Sequence, residues 1–126
     1  MVNEVTCTEV NGLAGGTGIA HVYHIVSKEN LYGHGRLYAR VVLPSGSCVG
    51  WHQHINDTEP YYILSGEGDF YEADSENAPR TKTHVHAGQV CTINVGQWHC
   101  LENNSGKDLE FMALIYNKQV FHNSNI

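Results

Sequence analysis

Turn-forming residues interrupt this chain about every 8–12 residues, and the stretches between them are short and β-prone. The clearest interruptions are Pro44-Ser45-Gly46, Ser65-Gly66-Glu67-Gly68, Ala87-Gly88, Gly96 and Asn103-Asn104-Ser105-Gly106. The segments they bound predict strands over residues 21–27, 36–43, 61–64, 69–72, 82–85, 89–95, 98–102 and 109–116. Almost no room is left for helix. The chain therefore predicts an all-β sandwich or barrel. At 126 residues with 41% apolar content it suits one domain with its own core.

Charge narrows the functional classes. The charged fraction is only 16%, and the formal charge is −6. That sign argues against nucleic acid, whose binding needs a basic surface. No apolar run approaches the length of a membrane-spanning helix. Residues 1–10, MVNEVTCTEV, lack a basic start followed by an apolar stretch, so a cytoplasmic protein is expected. Cys7, Cys48, Cys91 and Cys100 are then expected as free thiols. The triplets Asn56-Asp57-Thr58 and Asn103-Asn104-Ser105 match glycosylation sequons, by chance in such a compartment.

Nine histidines are many for this length, and spacing sorts them. His52 and His54 stand at i and i+2, so on a strand both imidazoles point to one face. Glu59 follows five residues later, after a turn. His99 comes just after the tight turn at Gly96. A barrel that joins these segments presents three neutral nitrogens and one anionic oxygen. Such a set suits one divalent transition metal: Mn, Fe, Co, Ni or Zn. In octahedral geometry it leaves two neighbouring positions open. His84 and His86 form a second H-x-H, but no carboxylate follows at a matching distance, and exposed histidines are expected there. His21, His24, His34 and His122 share no metal-ligand spacing.

Residues Gly46–Gly66, GSCVGWHQHINDTEPYYILSG, match the first cupin motif, G-x5-H-x-H-x4-E-x6-G, at every defined position. Residues Gly88–Asn103 match the second, G-x5-P-x-G-x2-H-x3-N, except that Asn94 replaces the proline. The chain thus resembles the cupin superfamily, and within it the small single-domain cupins of the oxalate decarboxylase-like type. The resemblance implies a double-stranded β-helix, a jelly-roll barrel, with the metal deep inside. It implies a single cupin domain over 1–126, with an N-terminal strand extension over about 1–35 and the barrel over about 36–118. Mn or Fe is the favoured metal, with Ni, Co or Zn as alternatives. A homodimer is expected, since small cupins commonly pair through sheets or N-terminal strands.

Around the metal, parity places Tyr61 and Ile63 on the pocket side, with Tyr62 and Leu64 outside. Phe111, Ala113 and Ile115 line the cavity or fill the core. Trp51 and Trp98 pack outside the wall, and Cys100 points away from the cavity. Arg36, Tyr38 and Arg40 share one face. If it is the inner face, an arginine there suits an anionic substrate; if the outer, it is a surface or interface residue. Tyr61 and Arg40 are the candidate catalytic residues. The expected function is a metal-dependent enzyme acting on a small oxygen-rich acid, decarboxylase-like or dioxygenase-like. Its rival is a non-catalytic cupin that binds a sugar or another small molecule. Ser75-Glu76-Asn77 resembles part of the oxalate decarboxylase lid. That lid follows the second motif, whereas this tripeptide lies between the motifs, so oxalate as substrate is not implied.

Overall fold

The structure is a computed structural model, and it describes residues 1–118. Among the described residues, eleven strands form two antiparallel sheets. They are β1 (Thr6–Asn11), β2 (Ile19–His24), β3 (Gly35–Leu43), β4 (Cys48–Gln53), β5 (Asp57–Thr58) and β6 (Tyr61–Ser65). Then come β7 (Glu67–Ala73), β8 (Thr81–His86), β9 (Val90–Cys91), β10 (Trp98–Glu102) and β11 (Leu109–Asn117). The larger sheet runs β1-β2-β3-β11-β6-β9, with β5 also pairing β11. The smaller runs β4-β10-β7-β8. Helical structure among the described residues is confined to two single 3-10 turns, Leu13–Gly15 and Glu29–Leu31. Among the described residues, no helix is long and apolar enough to cross a membrane.

Alternation explains how the layers close. In β3, Ala39, Val41 and Leu43 are buried, and Arg40 and Val42 between them are not. In β11, Leu109, Phe111, Ala113 and Ile115 are buried in the same rhythm. The register sets Val41 against Phe111 and Ala39 against Ala113. Across the gap, Val49, Phe70 and Leu101 of the smaller sheet join the same core. Each such side chain contributes about 1.5–3 kcal/mol when fully buried. The barrel therefore has an apolar core of its own.

The N-terminal segment is built into this core. β2 pairs β3, and Ala20 and Val22 are buried among the core residues. β1 was not signalled in the sequence: every residue of Thr6–Asn11 except Val10 is exposed. Its pairing with β2 creates the strand. The glycines after it allow a close approach. A Cβ on Gly16 would collide with the Cys48 carbonyl, and one on Gly50 with the Ala14 carbonyl. The turn therefore lies flat on β4.

Two strand expectations need correction. The strand predicted over 21–27 runs instead over Ile19–His24. The one predicted over 89–95 shrinks to Val90–Cys91. Beyond Cys91 the backbone serves other partners: the Ile93 carbonyl accepts the Thr58 hydroxyl at 2.8 Å. Asn94 donates its N–H to Gln97 Oε1 at 2.7 Å. A proline at 94 could not make that bond, so the departure from the motif carries its own compensation.

Candidate metal centre

His52 is the penultimate residue of β4, and His99 on β10 is its direct cross-strand partner. His54 lies just beyond β4, and Glu59 between β5 and β6. The smaller sheet thus supplies two imidazoles, the chain just past β4 the third, and the connection between β5 and β6 the carboxylate. One ligand atom from each of His52, His54, Glu59 and His99 lies within 4.8 Å of all the others. His54, Glu59 and His99 are buried and His52 is half-buried.

The hydrogen bonds decide which nitrogens face inward. His52 Nδ1 donates to the Gly50 carbonyl at 2.7 Å. His54 Nδ1 donates to Asp57 Oδ1 at 2.8 Å. Both partners only accept, so each neutral ring keeps a lone pair on Nε2. Those Nε2 atoms lie 3.1 Å apart, and His99 Nε2 lies 3.0 Å from that of His52. Glu59 Oε1 lies 3.1 Å from His54 Nε2. Lone pairs and a carboxylate crowded this closely repel unless a cation sits among them. The donor set fits a borderline divalent metal, and the cluster can hold one.

Electrostatics prepares the same task. Burial pushes the Glu59 carboxyl up, but the neighbouring imidazoles of His52, His54 and His99 outweigh it and hold Glu59 well below the usual carboxylate range. Burial also lowers His99, which keeps it neutral and able to donate a lone pair. At His54 burial acts downward too, yet the hydrogen bonds and charges of Glu59 and Asp57 together raise it. His99 Nδ1 is buried without a hydrogen-bond partner. That ring is held by Tyr61, which stacks on it at 5.0 Å with planes 8° apart.

Comparison with known proteins agrees with this geometry. Residues 39–115 match the cupin domain. The chain belongs to the cupin family. An oxalate-binding protein of Thermotoga maritima is 40% identical over 113 residues, which span 90% of this chain and 88% of that protein. The crystal structure of a predicted oxalate decarboxylase from Thermotoga maritima matches with a TM-score of 0.80 at 39% identity. That match covers 90% of this chain and 94% of the other. The cupin domain of CENP-C from Drosophila melanogaster matches at TM-score 0.66, covering 89% of this chain and 70% of its own, at 14% identity. Identity that low shows the fold alone. The jelly-roll barrel expected from the motifs is therefore the fold of this chain.

Around the centre of this cupin, Tyr61 is buried and donates its hydroxyl to Glu59 Oε1 at 2.9 Å. Burial, with the Glu59 charge, raises its phenol well above the ordinary value. Tyr62 and Leu64 are exposed, and Ile63 is buried. Phe111, Ala113 and Ile115 line a cavity next to His52, His54 and Glu59.

Arg40 requires a correction. Its neighbours Ala39 and Val41 occupy the core, so Arg40 projects from the other face of the sheet. There it donates to Glu110 Oε1 at 2.7 Å and lies 4.1 Å from the centre of the Tyr23 ring. It does not line the cavity, and it is not a candidate catalytic residue. Arg36 differs: it lines the cavity, and its Nε donates to Asp57 Oδ2 at 3.0 Å. A register shift in β11 between Ile115 and Tyr116 separates the two environments.

Asp57 is the residue that sequence reasoning missed. It is buried and links Arg36 to His54. Its only signal was a carboxylate three residues after a candidate ligand. His24, given no role on spacing, lines the cavity as well. The remaining histidine expectations compare as follows. His84 and His86 are exposed, and His84 pairs with Asp69 and Glu67 across β7. His122 lies outside the described residues. Trp51 and Trp98 pack on each other at 6.0 Å, with Arg80 over Trp51. Glu76 is exposed and does not line the cavity; its carbonyl accepts the Trp51 indole N–H. All four cysteines are free, and burial pushes the thiols of Cys91 and Cys100 up to about 11. They are small buried hydrophobes rather than ligands.

Proposed function

We propose that this cupin is a metal-dependent enzyme acting on a small oxygen-rich acid, decarboxylase-like or dioxygenase-like. The observation that carries the reading is the convergence of three Nε2 lone pairs and the Glu59 carboxylate beside an open cavity. His52, His54, Glu59 and His99 would hold one divalent ion, with Mn or Fe favoured. When bound, such an ion supplies Lewis acidity and a template for oxygen donors. Three neutral imidazoles, one carboxylate and a divalent cation sum to one positive charge. That charge, in a low-dielectric wall, attracts anions at short range. The Thermotoga relative named for oxalate binding supports an anionic ligand.

The residues of the chain have separable roles in this reading. Gly50 and Asp57 orient His52 and His54 through their Nδ1 atoms. Tyr61 keeps its proton, orients Glu59, and offers a hydroxyl beside the centre. It is the proposed catalytic residue. The apolar wall offers water few partners near the centre. A second reading, a non-catalytic binding module, draws on the same relative, which is named as a binder. Calorimetry with oxalate on Mn-loaded and chelator-treated protein tests the common premise: binding is expected only with metal. A product assay on a panel of small acids, with and without dioxygen, then separates the readings. Turnover that falls in Tyr61→Phe supports the enzyme, and binding without any product supports the module.

The assembly proposed with this function is a cytoplasmic homodimer. Tyr38, Tyr62, Leu64, Val90 and Tyr116 are exposed apolar side chains on the larger sheet. Such a face is suited to a second copy. Light scattering at micromolar concentration should give twice the chain mass.

A further inference from the structure

The cavity is far larger than oxalate and has the wrong lining for it. Its volume is about 370 Å³. At about 30 Å³ per water, that is room for roughly a dozen waters. Oxalate, two joined carboxylates, would fill a small part. Beyond the metal-site side chains the wall is mostly hydrocarbon. Leu37 and Val41 come from β3, Phe111 and Ile115 from β11, and Val10 and Leu13 from the N-terminal segment. Few of the lining side chains are polar, and those beyond the centre have partners of their own. Thr8 Oγ1 and His24 Nε2 lie 3.2 Å apart, and Arg36 is held by Asp57. Water in such a space finds few of the two to four polar partners it needs. An apolar chain has none to lose.

We propose that the ligand of this site is a 2-oxo acid or related chelating acid with a branched aliphatic or aromatic tail, its oxygens at the His–Glu centre and its tail against Val41, Phe111 and Ile115. The proposal rests on the metal–anion reading above and sharpens it. The N-terminal segment is then part of the specificity pocket, because Val10 and Leu13 complete the wall that the two cupin motifs leave open. A second carboxylate placed against Val41, Phe111 and Ile115 would lose its water to hydrocarbon.

Calorimetry on the full-length Mn-loaded protein with oxalate, pyruvate and 4-methyl-2-oxopentanoate tests this. Each buried methylene is worth roughly a fourfold gain in affinity. The branched acid should therefore bind at least about tenfold tighter than pyruvate. Val41→Phe fills the wall and should abolish that gain, with metal content unchanged. Should Val41→Phe fail to fold, Leu37→Asn, at a half-buried wall position, gives the same readout by placing an uncharged polar group against the tail. Equal affinity for pyruvate and the branched acid, or oxalate binding tightest of the three, overturns the proposal and leaves the metal–anion reading standing. Absence of binding by all three acids overturns both.

Discussion

His54 Nδ1 lies 2.8 Å from Asp57 Oδ1, and this contact selects the tautomer that turns the His54 lone pair inward. Carboxylate partners of this kind orient ligand imidazoles and raise their basicity. Asp57→Ala should lower metal affinity about 10- to 100-fold. Asp57→Asn keeps an acceptor oxygen and should lose less. Competition against a chromophoric chelator measures both. Wild-type affinity in Asp57→Ala would remove the orienting role.

Metal content is the most direct prediction. Purified protein should carry close to one transition metal per chain. His52→Ala combined with His99→Ala removes two facing ligands and should abolish it. Full occupancy of the double variant, read by elemental analysis, would refute the assignment. The metal recovered from a heterologous host reflects affinity as much as biology.

Chelation should not unfold the protein. The core of Val41, Leu43, Ile63, Leu101, Leu109 and Phe111 is buried independently of the four ligands. Phe111→Ala, by contrast, should cost about 3–5 kcal/mol, because it leaves a cavity between the sheets. Thermal melts followed by circular dichroism compare the two. A chelated protein that melts below the Phe111→Ala variant would show that the ligands, not the core, hold the barrel.

His84 offers a pH prediction away from the centre. Its hydrogen bond with Asp69 raises the imidazole above its ordinary value, with Glu67 adding to it. A raised histidine favours the folded state when protonated. Its contribution is present below the unfolded value of about 6.5 and is lost as pH rises through the folded one. Asp69→Asn should bring the His84 titration down. Proton–nitrogen spectra recorded across that range report it, and an unchanged titration would dissociate the pair.

The two-residue rhythm of the strands and the spacing of the motif residues were enough to select the barrel and the four residues of the cluster that could hold a metal. Alternation places His52 and His54 on one face, Tyr61 and Ile63 on another shared face, and the register then makes His99 the partner of His52. Asn103 shows the same economy. Its amide donates to the carbonyls of Leu43 and Lys107 at 2.7 Å each, so a residue that reads as a sequon is a buried clamp. Weak signals failed where pairing alone makes the strand, as in β1.

Parity says that Arg36, Tyr38 and Arg40 share a face; it cannot say which face meets the core. Packing of Ala39 and Val41 turned Arg40 outward to Glu110, and the shift opposite Gly35 left Arg36 to meet Asp57. Local periodicity is a property of the backbone, legible in order along the chain. The side on which a sheet is covered, and the volume left between two covered sides, arise only when distant strands close on one another.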